Sequence, residues 1–167
     1  MIVPRCLCGF KSRQIYVFSA IRNPGSCYYA APRLGWTDPK NNSLWQDEVK
    51  TLFDPCPAGW RVPRSGSDEE SPWYTLTEEN TAWNPSEGFR GGRYLPAFPI
   101  GSRAWLPAAG LRYYLHTRLD VVNAVGACWP STRIDDQVFN FYFTQTSIEL
   151  VTPNYFPNAY PVRCVRE

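Results

Sequence analysis

Val138-Phe139-Asn140-Phe141-Tyr142-Phe143 carries three phenylalanines at every second position, with Val138, Asn140 and Tyr142 between them. Successive side chains of a strand point to opposite faces, so this run reads as a half-buried β-strand with its phenylalanine face toward a core. At least two of Phe139, Phe141 and Phe143 are expected to be sheet core. A turn at Thr144-Gln145 leads into Thr146-Ser147-Ile148-Glu149-Leu150-Val151, read as the next strand. Pro161-Val162-Arg163-Cys164-Val165-Arg166 closes the chain as a further strand, with Val162 and Cys164 on one face. Between these strands, residues 152–160 form a Pro/Asn-rich aromatic loop.

Upstream, Leu95-Pro96-Ala97-Phe98-Pro99, Ala104-Trp105-Leu106-Pro107-Ala108-Ala109-Gly110 and Leu111-Arg112-Tyr113-Tyr114-Leu115 read as short strands and connectors. Residues 64–93 are polar and mostly loop, with a short helix expected at Glu78 and Glu79 begun by Thr77. Asp54-Pro55-Cys56-Pro57-Ala58-Gly59-Trp60-Arg61-Val62-Pro63 is dense in turn residues. Its prolines fix φ and remove donors, which makes a rigid corner. Trp60 is expected in the core there, so that Trp60→Ala would cost ~3–5 kcal/mol. Residues 27–46 read as loop. Residues 12–22 read as a short helix, with Ile15, Phe18 and Ile21 on one stripe and a stop at Asn23-Pro24-Gly25.

Composition narrows the function. Aromatics are 16% of 167 residues and charged residues only 19%, the opposite of a disordered chain. Sixteen prolines argue against a helical bundle. A net charge of +2, with no basic run, offers no field for nucleic acid. No apolar run approaches ~20 residues, so no membrane insertion is expected. MIVPRCLCGF lacks the apolar core of a signal peptide, so the chain is expected to be a fragment of a longer exported protein or to travel by another route, as a virion component would.

Catalysis needs a nucleophile with its base, paired carboxylates or a metal. Asp135-Asp136 is the best carboxylate pair, but neighbouring strand residues diverge, and a turn is the plainer reading. His116 stands alone among Tyr113, Tyr114 and Arg118, as on an ordinary surface strand. No zinc spacing, alternating calcium ligands, phosphate loop or G-x-S-x-G occurs. The chain is therefore read as a non-enzyme without cofactor or metal. The six cysteines, Cys6, Cys8, Cys27, Cys56, Cys128 and Cys164, allow many pairings, and buried reduced thiols are the alternative.

Leu44-Trp45, Lys50-Thr51-Leu52-Phe53 with the proline-rich corner after it, Leu106-Pro107-Ala108-Ala109-Gly110, Trp129-Pro130-Ser131-Thr132 and the ending Pro161-Val162-Arg163-Cys164-Val165-Arg166-Glu167 together resemble the Fibrobacter succinogenes major paralogous domain. That family is common in surface proteins and fimbrillin-like adhesins of gut Bacteroidetes. The resemblance covers residues 15–167 and is most specific in the corner block. It implies a C-type-lectin-like fold, in which an early cysteine pairs with one on the last strand, here Cys56 with Cys164. Such a bond would close a loop worth ~4.7 kcal/mol of chain entropy.

A narrower resemblance is to variable proteins of diversity-generating retroelements, including those of phages, which diversify asparagine codons near the C-terminus. The chain departs from the family pattern at Ala127, Cys128 and Pro130, and again at Ala159-Tyr160-Pro161, where that mechanism would act.

These readings define the expectation. The fold is α+β, C-type-lectin-like, with one or two short helices, a small antiparallel sheet and extensive ordered loops. Residues 1–14 are a segment of unknown role, and 15–167 the binding domain. The function is a surface-displayed ligand-binding domain, an adhesin or receptor-binding module; the alternative is a structural fimbrial or assembly subunit. Its place is extracytoplasmic, on a cell surface or phage particle, and its partner a protein or glycan on another surface. The candidate ligand-binding residues are Ala127, Cys128, Pro130, Arg133, Asp135, Gln137, Asn154, Tyr155, Phe156, Asn158 and Tyr160. Segments 127–137 and 152–160 are expected to converge in space, with aromatic anchors and adaptable polar neighbours.

Overall fold

The computed structural model describes residues 46, 48–66, 69–85, 91–97, 101–113, 118–134, 137–154 and 158–167. Its longest strands are the two read from the phenylalanine run and its neighbour. Gln137–Phe143 pairs antiparallel with Ile148–Asn154, and Arg133–Ile134 and Gly126–Cys128 pair along the other side of Gln137–Phe143. The turn between the long strands is closed by Thr144. Its N–H donates to the Ser147 carbonyl (2.9 Å), and its Oγ1 accepts from the Thr146 and Ser147 N–H groups. Thr146 and Ser147 are thereby held in the turn, and the second strand starts later than expected.

In chain order the strands are β1 (Trp60–Arg61), β2 (Ala82–Asn84), β3 (Gly92–Ala97), β4 (Ser102–Pro107), β5 (Leu111–Arg112), β6 (Leu119–Asp120), β7 (Gly126–Cys128), β8 (Arg133–Ile134), β9 (Gln137–Phe143), β10 (Ile148–Asn154) and β11 (Val165–Arg166). β2, β3 and β4 form a three-stranded antiparallel sheet, while β5 pairs β6 and β1 pairs β11.

The α+β expectation is corrected by these elements: the described residues contain strands and turns and no helix. The helix expected at Thr77 is a turn. Thr77 N–H donates to Asn80 Oδ1 (2.9 Å), Asn80 N–H returns to Thr77 Oγ1 (3.2 Å), and Asn80 Nδ2 holds the Thr75 carbonyl (2.6 Å). Side-chain bonds of this kind compete with the helical ladder, and β2 begins two residues later. The segment 12–22 and the boundary at residue 14 lie outside the described residues.

β9 differs from its sequence reading in a second way, since both of its faces are buried. Phe141 and Phe143 are 0% exposed and join Trp73, Leu76, Leu95, Leu106, Ala108 and Cys128 in one core. Trp73 stacks on Phe141 with ring centroids 4.8 Å apart. On the opposite face, Val138 belongs to a second core with Leu111, Val125, Ala127, Trp129 and Tyr160, and Tyr142 packs against it. The Phe143 ring lies over Gly126, where any Cβ would collide with it. That close approach is what lets β7 lie beside β9.

Arg93 joins the three-stranded sheet to the β9–β10 turn. Only 3% exposed, its guanidinium donates to the Thr144 carbonyl (2.9 Å), the Gln145 carbonyl (2.8 Å) and Thr81 Oγ1 (2.7 Å). Burial lowers its pKa, and Glu78 opposes that shift.

The proline-rich corner is tied down in three ways. Cys56 and Cys164 form a disulfide with Cα atoms 5.7 Å apart across 108 residues, the pairing that the family resemblance implied. Lys50 Nζ donates to the carbonyls of Cys56 and Trp60 (2.8 Å each) and pairs with Asp54 Oδ1 (3.1 Å). Beyond the corner, Ser131 N–H donates to the Pro63 carbonyl (2.8 Å) and Ser65 N–H to Thr132 Oγ1 (3.0 Å). Trp60 itself is 43% exposed, which corrects its expected place in the core. Val62 and Pro63 take the buried positions, because the β1–β11 pair is a two-stranded ribbon at the rim. The closing strand is also shorter than expected, being only Val165–Arg166. The Pro161 carbonyl is engaged by the Trp129 N–H (2.9 Å), and Pro161 has no donor for a ladder.

Candidate ligand-binding face

β7 and the chain after it bring Ala127 and Trp129 to the second core, and residues 158–160 arrive there from the other end of the sequence. Two backbone bonds between Arg112 and Ala159, each 2.9 Å, seat this second segment on β5. Trp129 and Tyr160 then meet edge to face at 4.9 Å. The expected convergence of the two segments is thus present in space.

Its character is different from the one expected. Ala127, Cys128, Pro130, Asn158 and Tyr160 are buried. Ala127 and Tyr160 are core, Cys128 lies under the phenylalanine face, and Pro130 sits within the Trp129–Thr132 contact to the corner. Arg133 and Asn154 are half-buried. Gln137 pairs with Ile134 in the β8–β9 hairpin. Asp135, Tyr155 and Phe156 lie outside the described residues.

Asn158 fills its position by bonding. Its Nδ2 donates to Asn154 Oδ1 (2.6 Å) and to the Tyr160 hydroxyl (2.9 Å). Burial pushes the Tyr160 pKa well above the usual phenol range. The bonds from Asn158 and Asn154 pull it down, while Tyr113 and Tyr142 push it further up. Burial also raises Tyr142, assisted by Glu149 and then Tyr113. Asn158 thus ties Asn154 to Tyr160, while Tyr142 feels the charge of Glu149, its partner across the sheet, and of Tyr113. Burial pushes the Cys128 thiol up to about 12, so it stays protonated and is no nucleophile at neutral pH.

No family model, no curated protein and no solved structure matches this chain.

Register explains how the seam between β9 and β10 is assembled. Across β9 and β10, Glu149 opposes Tyr142, Thr152 opposes Asn140 and Asn154 opposes Val138, with a bulge between Glu149 and Thr152. Opposed residues share a sheet face, so β10 lays a polar row beside Tyr142. The Thr152 hydroxyl donates to Glu149 Oε2 (2.8 Å) and so orients the carboxylate. Tyr113, 41% exposed, follows β5.

Tyr113, Tyr142 and Glu149 were absent from the residues chosen by sequence. The usable signal was the period of β9, which sets Tyr142 on the face away from the phenylalanines. Among the described residues no group of three or more His, Cys, Asp or Glu is placed to hold a metal ion, and no helix is long and apolar enough to cross a membrane.

Proposed function

We propose that this chain is a surface-displayed ligand-binding domain, an adhesin or receptor-binding module, acting outside the cytoplasm on a cell surface or phage particle. The observation that carries the reading is the seam itself. Tyr113 and Glu149 are exposed, Tyr142 and Asn154 are half-buried, and Glu149 opposes Tyr142 across β9 and β10 in a scaffold locked by the Cys56–Cys164 bond. Rigid aromatic area with adaptable polar groups is the composition of a binding surface. A disulfide that spans most of the described chain suits an oxidising compartment. The resemblance to the Fibrobacter succinogenes major paralogous domain adds support, because the corner block that carries it is also the disulfide corner.

Sequence variation in the C-terminal region, if the chain is a retroelement variable protein, would fall on this seam rather than on Ala127, Cys128 or Pro130, whose burial restricts replacements. A neighbouring reverse-transcriptase gene with a near-repeat of the 3′ end is the genomic test.

The functional test is binding of the purified chain to bacterial surfaces. Tyr113→Ser is expected to weaken binding about tenfold, equivalent to ~1.4 kcal/mol, with the melting temperature held within a few degrees. Binding that is unchanged by Tyr113→Ser, Tyr142→Phe and Glu149→Gln alike would remove the seam from the reading. The assembly-subunit reading has one observation of its own. Val49, Leu52, Phe53 and Trp60 are exposed beside the disulfide corner, an apolar group suited to subunit contact. A chain that polymerises in sedimentation runs, and binds no surface, would favour that reading.

A further inference from the structure

The Lys50 ammonium lies among oxygens drawn from one short stretch of chain. Its Nζ donates to the carbonyls of Cys56 and Trp60 (2.8 Å each) and sits 3.1 Å from Asp54 Oδ1. An ammonium has three N–H donors, so these three oxygens use all of them. A fourth oxygen is left over. Asp54 Oδ2 belongs to a side chain only 1% exposed and has no hydrogen-bond partner among the described residues. A buried carboxylate oxygen in that condition is costly. A surface lysine–aspartate pair would leave it to water.

Contacts other than Lys50 also fix this oxygen set. Asp54 Oδ1 accepts the Cys56 N–H (2.8 Å), and the Asp54 N–H donates to the Thr51 carbonyl (3.2 Å). Pro57 keeps Cys56 out of the helical region, and the bond to Cys164 anchors it. The Trp60 N–H donates to the Pro57 carbonyl (3.0 Å) through a turn in which Gly59 has a φ of 75°. Only glycine takes that conformation freely.

Two backbone carbonyls and both oxygens of one carboxylate are ligands of the kind that hard divalent cations take. Calcium–oxygen distances of ~2.3–2.6 Å are only a few tenths of an ångström shorter than those around Nζ. The Lys50 side chain is 30% exposed, so one side of the set opens to solvent, where water would complete a metal's shell.

We infer that this corner is a cation site whose resident cation is the chain's own Lys50 ammonium, standing where a hard divalent ion would bind through Asp54, Cys56 and Trp60. The ammonium engages three of the four oxygens. A divalent ion taking Asp54 through both oxygens engages all four, and so uses Asp54 Oδ2. The corner therefore draws no metal from its surroundings, and loss of that single charge makes it metal-dependent. This inference concerns the disulfide corner and stands apart from the ligand-binding reading of the seam.

The test uses the intact, oxidised chain carrying Lys50→Met, which keeps an apolar stem and lacks the charge. In chelator its melting temperature should fall by ~5 °C or more, because the buried Asp54 carboxylate loses its partner. Calcium chloride at about 10 mM, above the range of weak extracellular sites, should recover at least half of that loss. The unsubstituted chain should stay within a degree under the same change. Terbium gives a second readout. With the Trp60 carbonyl as a ligand, the Trp60 indole should sensitise terbium luminescence in Lys50→Met and not in the unsubstituted chain. Adding Trp60→Phe or Asp54→Asn to Lys50→Met should abolish that signal.

Lys50→Gln, the milder change, carries the same expectations if Lys50→Met does not fold. A melting temperature unchanged by loss of the lysine would show that the ammonium holds nothing. Variants equally destabilised with and without calcium, and dark with terbium, would show that the oxygens form no cation site. Terbium luminescence from the unsubstituted chain that Trp60→Phe removes would show that Lys50 is not the resident cation. Any of these three results overturns the inference.

Discussion

The two faces of β9 are built from alternate residues of one seven-residue strand, yet they are different materials. On one face, Phe141 and Phe143 close a core with Trp73, Leu76, Leu95, Leu106, Ala108 and Cys128. On the other, Val138 and Tyr142 flank Asn140, and the layer above includes Tyr160 held by Asn158. The first face derives its stability from area removed from water and from close packing. The second accepts buried polar groups that a stability-driven core would avoid. The strand thus serves as scaffold on one side and as the base of a candidate site on the other.

The largest expected effect comes from breaking the apolar face. Phe141→Ala removes a wholly buried ring stacked on Trp73 and should cost ~3–5 kcal/mol, read as a drop in the denaturant midpoint. A loss below about 1 kcal/mol would mean that the two faces do not differ as described.

Arg93→Lys should cost somewhat less, ~2–3 kcal/mol, because an ammonium cannot span two carbonyls and a hydroxyl as the planar guanidinium does. Hydrogen exchange should show the loss first at the β9–β10 turn.

Alkali probes both faces together, with Cys128 beneath one and Tyr160 above the other. Both pKa values are raised in the folded protein, so folding favours the protonated forms. Their contribution is complete below the ordinary thiol pKa, and it is lost as pH rises from about 9 toward about 12. The melting temperature should fall across that window, and less steeply in Cys128→Val. Cys128 should also resist thiol reagents at pH 8 until the chain is denatured.

The smallest effect is expected at Trp60, where Trp60→Ala should change stability by less than ~1 kcal/mol because the ring is 43% exposed. A large loss would restore the tryptophan to the core and return the corner to its sequence reading.

Local signals were legible wherever the physics was local. Period two marked β9, and Thr144 together with Gln145 marked the turn after it. Prolines around Cys56 marked a corner that the structure pins with Lys50 and the disulfide. The candidate site was only partly legible. The two segments chosen from sequence do meet, at Trp129 and Tyr160, but the meeting is a buried contact. An exposed aromatic and a core aromatic look alike in a loop of prolines and asparagines.

The sequence by itself determined the alternation of β9, the rigidity of the corner and the supply of tyrosine and asparagine near the C-terminus, because each follows from neighbouring residues. Only the tertiary structure decided that β9 is covered on both sides, that Trp60 is 43% exposed, and that Glu149 stands opposite Tyr142. Burial and proximity depend on partners far away in the chain: Trp73 and Leu106 for one face, and Leu111 and Tyr160 for the other.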